Sequence, residues 1–384
     1  MKNFYLICMT GVPNYGDELI LKTWLNFINK KYTNCTIWVD TPQEFSLSAS
    51  ILSQNLEYNN IKIVSYFWNL RDLSVRNKIS NRIFKKKSVD RIIKSANSRM
   101  DERFSQQRFD VDFFKNIESI HILGGGYLNS MWENNYSILI GCDYIKNKYN
   151  IPVYMTGAGL CPAVNNCRIR RVISNFDFKE ARDEESAKIF DINKGFDDVY
   201  LGVIDEAYRY QSKHNQNVAD VMISIQSGLV DSIVFKKVIN IIREKVVKLK
   251  SEGLTVGYVE AIPGQDTTAY NYLSDLIDEG YYYTALESMI NGLPIKDNQL
   301  WISSRFHHHL VASSRCVKGI ILCFKPDYYD IKHNSLLKLG TNWAFFNAYT
   351  DKILPEPQES SKEFSKNLKS IISHKMKVAD TLYR

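Results

Sequence analysis

The residues best suited to chemistry lie in the segment 303–310, which places Arg305 and His307 two positions apart. The segment follows a short apolar run, residues 300–303, that has the pattern of a buried strand. At the end of a strand, a guanidinium can bind an anionic group while a nearby imidazole transfers a proton. The pair therefore predicts acid–base chemistry on an anionic substrate.

Three consecutive histidines, His307, His308 and His309, also raise the question of a metal site. Neighbouring residues of a helix point about 100° apart, whereas metal-binding pairs on a helix prefer spacings such as i, i+4. We therefore favour acid–base use over metal binding and predict no metal site. For His308 and His309, packing or a surface position is the preferred interpretation.

Two glycine-containing loops follow other predicted strands. The first contains Asn14, Gly16 and Asp17, and the second contains Gly124, Gly125 and Gly126. Glycine permits close approach of the backbone to a ligand, and a helix N-terminus offers N–H groups to an anion. Neither spacing matches a dinucleotide-binding or P-loop motif. A helix cap at Asp17 and a tight turn at the three glycines are the structural alternatives.

Two further basic residues lie at the apparent ends of strands. Arg182 lies at the apparent end of a strand beside Asp183, which is a candidate helix cap. A guanidinium there can hold a carboxylate or a phosphate, and a surface ion pair is the alternative. Lys325 follows the predicted strand 319–323 and can supply a point charge to a phosphate, although most lysines are simply solvated.

The elements that must position these residues alternate between short apolar strands and helical patterns. Predicted strands are 4–9, 36–39, 61–65, 119–123, 153–156, 221–225, 254–259, 300–303 and 319–323. Such alternation predicts an α/β fold with parallel sheets, whose ligands bind at the carboxyl ends of the strands.

The polar, aperiodic segment 211–217 predicts a linker between domains. We expect a Rossmann-like domain at 1–210, a second at 218–350, and a helical tail at 351–384. One arrangement of the tail packs it back on the N-terminal domain.

Composition excludes several classes of protein. The chain has 384 residues, 45% apolar and 24% charged, which excludes disordered and fibrous classes. The formal charge of +7 is mild and spread along the chain, so it suits anionic substrates and does not predict nucleic-acid binding. Seven cysteines without CxxC spacing are typical of a reduced, intracellular protein. The N-terminal apolar run predicts a strand, because it is too short for a membrane span and lacks a signal-peptide cleavage site.

One local cluster of basic residues, residues 82–94, interleaves lysine and arginine with apolar side chains. The favoured interpretation is a solvated face of an amphipathic helix. The alternative is a peripheral contact with anionic lipid. The predicted location is therefore the cytoplasm, with the inner face of the membrane as the peripheral alternative.

Taken in order, these segments resemble the polysaccharide pyruvyl transferase family. The resemblance spans roughly residues 5–335 and rests on residues 14–20, 124–126, 182–186, 305–307 and the loop after the next strand. It implies a fold similar to GT-B glycosyltransferases, with two Rossmann-like domains facing a cleft. It also implies phosphoenolpyruvate as donor substrate, no cofactor, and no metal for the chemistry.

The implied product is a cyclic pyruvate ketal on a hexose-containing acceptor, formed with release of phosphate. The acceptor would be a surface polysaccharide or its precursor, such as a bacterial capsule or exopolysaccharide, lipid-linked or not. The family's catalytic histidine falls on His307, and its donor-binding arginines fall on Arg305 and Arg182. Its phosphate-binding lysine falls on Lys325, which here precedes the proline of the loop. Lys332 is therefore a substitute, and His308 competes with His307.

Two alternatives remain open from the sequence. One is a GT-B glycosyltransferase that uses a nucleotide sugar, and the other is a non-catalytic, anion-binding scaffold of the same fold. Consumption of phosphoenolpyruvate would separate both from a pyruvyl transferase. The acceptor sugar, the ketal position and the number of subunits are also left open.

Overall fold

The computed structural model describes residues 1–44, 46, 60–71, 89–105, 113–164, 166–204, 218–228, 230–326 and 328–384. The chain divides into two compact units. The first comprises Met1–Val12, Ile20–Asp198 and Val378–Arg384, and the second comprises Pro13–Leu19 and Val199–Lys377. The predicted linker at 211–217 and most of the basic cluster at 82–94 lie outside the described residues.

The first unit contains a seven-stranded parallel sheet in the order β3-β2-β1-β4-β5-β6-β7. Its strands are β1 (Lys2–Ile7), β2 (Cys35–Asp40), β3 (Ile61–Val64), β4 (Ser119–Ile122), β5 (Val153–Ala158), β6 (Phe178–Ala181) and β7 (Asn193–Lys194). Its helices are α1 (Tyr15–Lys31), α2 (Val89–Ser105), α3 (Tyr136–Tyr149), α4 (Cys167–Ser174) and α5 (Glu184–Phe190). The first five residues of α1, Tyr15–Leu19, group with the second unit.

The second unit contains a six-stranded parallel sheet in the order β10-β9-β8-β11-β12-β13. Its strands are β8 (Val221–Ser224), β9 (Val256–Val259), β10 (Tyr282–Tyr283), β11 (Leu300–Ser303), β12 (Lys318–Cys323) and β13 (Ala344–Asn347). Its helices are α6 (Ser232–Ser251), α7 (Thr267–Leu273), α8 (Ala285–Asn291), α9 (Phe306–Ser313), α10 (Tyr329–Leu337) and most of α11 (Lys362–Leu382). No helix in the described part of the chain combines the length and apolar character needed to cross a membrane.

Each sheet has its own apolar core. All four residues of β4, β8, β9 and β11 are buried, as expected for parallel strands that carry helices on both faces. In the first unit the core includes Ile7, Ile122 and Met155, and in the second it includes Ile223, Ile302 and Phe235 of α6. The predicted α/β class with two Rossmann-like units is therefore confirmed.

Strand order defines where ligands are expected. In the first sheet the order changes direction between β1 and β4, and in the second it changes between β8 and β11. In open parallel sheets, the crevice at the carboxyl ends of such a strand pair is the usual ligand site. The loops after β8 and β11, and those after β1 and β4, are therefore the places to look for function.

Candidate active site

In the second unit, Arg305 lies two residues after the end of β11 and is the residue that precedes α9. Its backbone N–H donates to the Ser303 hydroxyl over 3.0 Å. The neighbouring Ser304 N–H donates to the Ser224 carbonyl at the end of β8. The Gln226 N–H in turn donates to the Ser304 hydroxyl over 2.9 Å. These bonds tie the two strand ends together and fix the backbone from which Arg305 projects.

The guanidinium of Arg305 is held in a fixed orientation. Its Nε donates to Asp266 Oδ2 over 3.1 Å, its Nη2 donates to Asp266 Oδ1, and its Nη1 donates to Gln226 Oε1 over 3.3 Å. Asp266 is completely buried and also accepts from the Ala261 N–H over 2.7 Å. Arginine has five N–H donors, so two take part in no hydrogen bond among the described residues. Those two donors suit an anionic ligand.

The loop that contains Asn14, Gly16 and Asp17 belongs to this same unit. The Tyr15 N–H donates to the Ala261 carbonyl over 2.9 Å. This bond anchors the loop to the segment that follows β9. Asn14 Oδ1 accepts from the Gly16 N–H, and Asn14 Nδ2 donates to Asp17 Oδ2 over 2.6 Å. Because α1 already begins at Tyr15, Asn14 rather than Asp17 takes the capping position.

His307 lies against this loop. A Cβ atom added to Gly16 would come within 1.7 Å of His307 Nδ1, so the imidazole contacts the Gly16 backbone directly. The Tyr15 ring lies edge-on to His308 with centroids 5.0 Å apart. The second unit thus brings together Arg305 and His307 with Asn14 and Gly16, which lie about 290 residues earlier in the chain.

The other two histidines of the triplet are packed inside the second unit. His308 is completely buried, and its Nδ1 lies 2.7 Å from the Ser224 hydroxyl. Burial lowers the pKa of His308 well below its usual value, and the neighbouring Arg305 and His307 lower it further. The neutral form of His308 is therefore strongly favoured, so His308 is poorly suited to donate a proton near neutral pH.

His309 is buried as well and takes part in a polar network. Its Nδ1 lies 3.2 Å from Nδ1 of His333, its Nε2 lies 2.9 Å from the Thr341 hydroxyl, and its ring stacks on Trp343. These contacts indicate a packing role. Among the described residues, no group of three or more His, Cys, Asp or Glu side chains is placed to hold a metal ion.

The lysines after β12 lie in or beside α10. Lys332 Nζ is 3.7 Å from the Tyr328 ring centroid and 5.4 Å from that of Tyr329. Burial raises the pKa of Tyr329 to about 12, and the charge of Arg305 partly opposes that rise. Tyr329 therefore links the surroundings of Lys332 to those of Arg305. Lys325 is half-buried, and its carbonyl accepts from the Tyr329 N–H over 3.0 Å.

In the first unit, the three-glycine loop after β4 surrounds a buried carboxylate. The Gly124 N–H donates to Asp198 Oδ2 over 2.8 Å, and the Gly125 N–H donates to the Gly157 carbonyl over 3.4 Å. A Cβ atom at Gly124 would lie 3.0 Å from Asp198 Oδ2, and one at Gly157 would lie 2.6 Å from Asp198 Oδ1. Close packing on Asp198 thus explains Gly124 of this loop and Gly157 of β5. Ligand contact by Gly124, Gly125 and Gly126 stays a prediction.

Arg182, after β6, is also in the first unit. Its Nη1 lies 2.8 Å from Asp197 Oδ2, and the two side chains are only 3% and 2% exposed. The ion pair is therefore buried, whereas the sequence offered a surface pair as the alternative to donor binding. Asp183 accepts from the Ser186 N–H over 2.7 Å and caps α5, as predicted. Donor binding by Arg182 stays a prediction.

Four acidic or amide residues of these clusters were not singled out from the sequence: Gln226, Asp266, Asp197 and Asp198. Gln226 stands just after a predicted strand, so its position at a strand end was a usable signal. Asp266 precedes α7, where a helix cap is the ordinary interpretation of an aspartate. Asp198 lies in a short helical turn with no local pattern that points to a buried carboxylate.

The geometry agrees with a comparison against protein families. The model of the family "Polysaccharide pyruvyl transferase" matches residues 14–322, a range that begins at Asn14 and includes Arg305 and His307. The chain belongs to the polysaccharide pyruvyl transferase family. The resemblance drawn from the sequence is thereby confirmed, and the chain is a transferase of polysaccharide biosynthesis. No curated protein sequence matches this family member.

Solved structures similar to this pyruvyl transferase family member show the fold. A protein from Listeria monocytogenes assigned as a UDP-N-acetylglucosamine 2-epimerase is 10% identical, with a TM-score of 0.50 over 100% of this chain and 91% of that chain. TcCGT1 in complex with UDP is 11% identical, with a TM-score of 0.51 over 100% of this chain and 99% of that chain. At such low identity the likeness shows the fold alone, and it confirms the predicted GT-B-like class.

Proposed function

We propose that this chain transfers pyruvate from phosphoenolpyruvate to two hydroxyls of a hexose, forming a cyclic ketal and releasing phosphate. The observation that supports this proposal most directly is the arrangement of Arg305, His307 and Gly16 at the ends of β8 and β11. An oriented guanidinium beside a half-buried imidazole suits an anionic donor that must be protonated to react.

Donor binding would rely on positive charge. Phosphoenolpyruvate carries a carboxylate and a phosphate, both of which accept charge-assisted hydrogen bonds. Arg305 offers two N–H donors that no described residue uses, and Lys325 or Lys332 would supply a further charge to the phosphate. Arg182 is the other proposed donor-binding residue, although its guanidinium pairs with buried Asp197 in the first unit.

The proposed reaction begins with proton transfer from the His307 imidazolium to the methylene carbon of the donor. The C=C bond supplies the electron pair for the new C–H bond, which leaves a cation-like centre at the carbon that bears the phosphate. One sugar hydroxyl attacks this carbon and returns its proton to His307. The C–O bond to phosphate then breaks, and the second hydroxyl closes the ketal while its proton leaves with phosphate. Protons and electron pairs balance, and no oxidant is needed.

His307 rather than His308 takes the acid role in this scheme. His308 is completely buried, and its lowered pKa favours the neutral imidazole. The N–H of a neutral imidazole is a very weak acid, so this form is unsuited to the acid step. His307 is half-buried and contacts the loop that carries Asn14 and Asp17. Asn14, Gly16 and Asp17 are therefore proposed to line the same site.

The acceptor is proposed to be a hexose of a surface polysaccharide or its precursor. Whether that precursor is lipid-linked bears on location: a cytoplasmic enzyme and one that contacts the inner face of the membrane are both compatible with the proposal.

Phosphorus NMR of the purified chain with phosphoenolpyruvate and a panel of hexosides tests the proposal. We expect the donor signal to be replaced by inorganic phosphate only when a suitable hexoside is present, and a new methyl signal to appear in the proton spectrum. Binding of phosphoenolpyruvate without its consumption would instead support a scaffold. Release of nucleotide from a sugar nucleotide, with phosphoenolpyruvate untouched, would support a glycosyltransferase.

A further inference from the structure

We infer that Gly16 is a positioning residue for His307, because the absence of a side chain at Gly16 sets where the imidazole lies. The inference rests on the proposed function only in giving His307 the role of proton donor. The contact itself is a feature of the second unit, to which both residues belong.

The contact is closer than any side chain at position 16 would permit. A Cβ atom there would lie 1.7 Å from Nδ1, 2.4 Å from Cγ and 2.5 Å from Cε1 of His307. Non-bonded carbon atoms pack best at about 3.5–4.0 Å, so the ring would have to move by roughly 2 Å. Even the single methyl group of alanine therefore displaces the imidazole.

The backbone of Gly16 does not itself require glycine. Gly16 lies in the first turn of α1, and its φ is not positive. Alanine is a better helix former than glycine, so local conformation would favour alanine at this position. The requirement comes from His307, and it concerns a side chain rather than a strained backbone.

The loop around Gly16 is anchored, so the imidazole is the part that yields. The Tyr15 N–H donates to the Ala261 carbonyl, and the Tyr15 ring packs against buried His308. The Gly16 N–H donates to Asn14 Oδ1 over 3.3 Å. These contacts hold the helix start on the second unit, and they give Gly16 its fixed position beneath the ring of His307.

A displaced proton donor should lower kcat more than it weakens substrate binding. A misplacement of about 1 Å can cost on the order of 10²-fold in rate. We therefore expect Gly16→Ala to lower kcat by about 10²-fold. The KM for phosphoenolpyruvate should stay within about twofold, because the proposed anion contacts of Arg305 are not moved.

Gly228→Ala is the matched control. Gly228 is in the same unit, has no positive φ, and would bring its Cβ within 3.0 Å of the amide end of Gln265, a flexible side chain that can move away. This variant adds the same methyl group without touching an imidazole. We expect it to keep the kcat of the parent chain.

Two readouts do not depend on activity. The first is the ¹H–¹³C NMR signal of the His307 Cε1–H group, which should shift in Gly16→Ala and not in Gly228→Ala. The second is a double-variant cycle: in a His307→Ala background the obstacle is gone. In that background Gly16→Ala should raise the melting temperature, as expected for alanine in a helix. In the parent chain the clash with His307 opposes this gain, so the change in melting temperature should be smaller or negative.

The outcomes separate the two proposals. If Gly16→Ala leaves the His307 signal unchanged and its effect on the melting temperature is the same in both backgrounds, the positioning role is wrong. A signal shift and a coupled cycle in a chain that never consumes phosphoenolpyruvate would retain the contact and reject the proposed reaction. A shifted signal with unchanged kcat in an active enzyme would also overturn the inference.

Discussion

Arg305 and Asp266 form a two-point ion pair in which both carboxylate oxygens accept from the guanidinium, and Asp266 is completely buried. The pair joins the segment after β11 to the start of α7. It fixes the plane of the Arg305 guanidinium, and therefore also the direction of the two N–H groups that donate to no described residue. The same pair makes Arg305 important for stability as well as for binding.

We predict that Arg305→Ala lowers the free energy of unfolding by about 3–5 kcal/mol, because it leaves a buried carboxylate without its partner. Arg305→Lys keeps the charge but loses the planar fork, so it should retain more stability while still weakening phosphoenolpyruvate binding. Urea denaturation and calorimetric titration with the donor measure the two effects. An alanine variant as stable as the parent would contradict the buried ion pair.

His307→Ala should lower kcat by roughly 10²–10⁴-fold, the usual contribution of a positioned acid or base. The fold should persist, since His307 is only half-buried. Steady-state release of phosphate measures the rate, and the melting temperature serves as the control. Full turnover by this variant would show that another group donates the proton.

Arg182→Ala should destabilise the first unit by about 3–5 kcal/mol, because it removes one side of an ion pair in which both side chains are buried. Adding Asp197→Ala should cost less than the sum of the two single substitutions, because residues in direct contact are energetically coupled. Chemical denaturation of the single and double variants tests this. A single variant that keeps its stability but loses affinity for phosphoenolpyruvate would instead favour the donor-binding role.

His308 should be neutral at pH 7 and above, because its pKa is lowered from its usual value. Burial lowers its pKa below the unfolded value of 6.5, so its contribution to stability is fully present above that pH and is lost as the pH falls below it. Nitrogen-15 NMR of the imidazole reports its protonation directly. A protonated His308 at pH 7 would contradict this assignment and restore it as a competitor of His307.

Asp40 should give the first unit the opposite pH dependence. Burial raises its pKa from 3.8 to about 7, although it accepts hydrogen bonds from the Tyr5 hydroxyl and the Phe67 N–H. Because the folded pKa lies above the unfolded one, Asp40 favours folding at low pH. This contribution falls as the pH rises from about 4 to 7, by up to about 1.4 kcal/mol per unit. Urea denaturation at several pH values should show a flatter profile for Asp40→Asn, and equal slopes would refute the raised pKa.

Much of the fold followed from local pattern. The strand 300–303 was predicted with the bounds that β11 has, and the strand 61–65 differs from β3 by one residue. Short apolar runs at the right spacing suffice for this, because burial of a strand is visible in the chain itself. The edge strands β7 and β10 have two residues each, and so short a segment carries no period from which to predict it.

The candidate site likewise has features that the local sequence determines and contacts that it does not. That Arg305 and His307 follow a strand, and that Gly16 opens a helix, depend on near neighbours in the chain, and the sequence alone determines them. That Gly16 lies against His307, that Asp266 pairs with Arg305, and that Arg182 is buried with Asp197 depend on which strands are neighbours. Only the tertiary structure decides such contacts, because the order of strands in a sheet brings together residues whose separation along the chain carries no local signal.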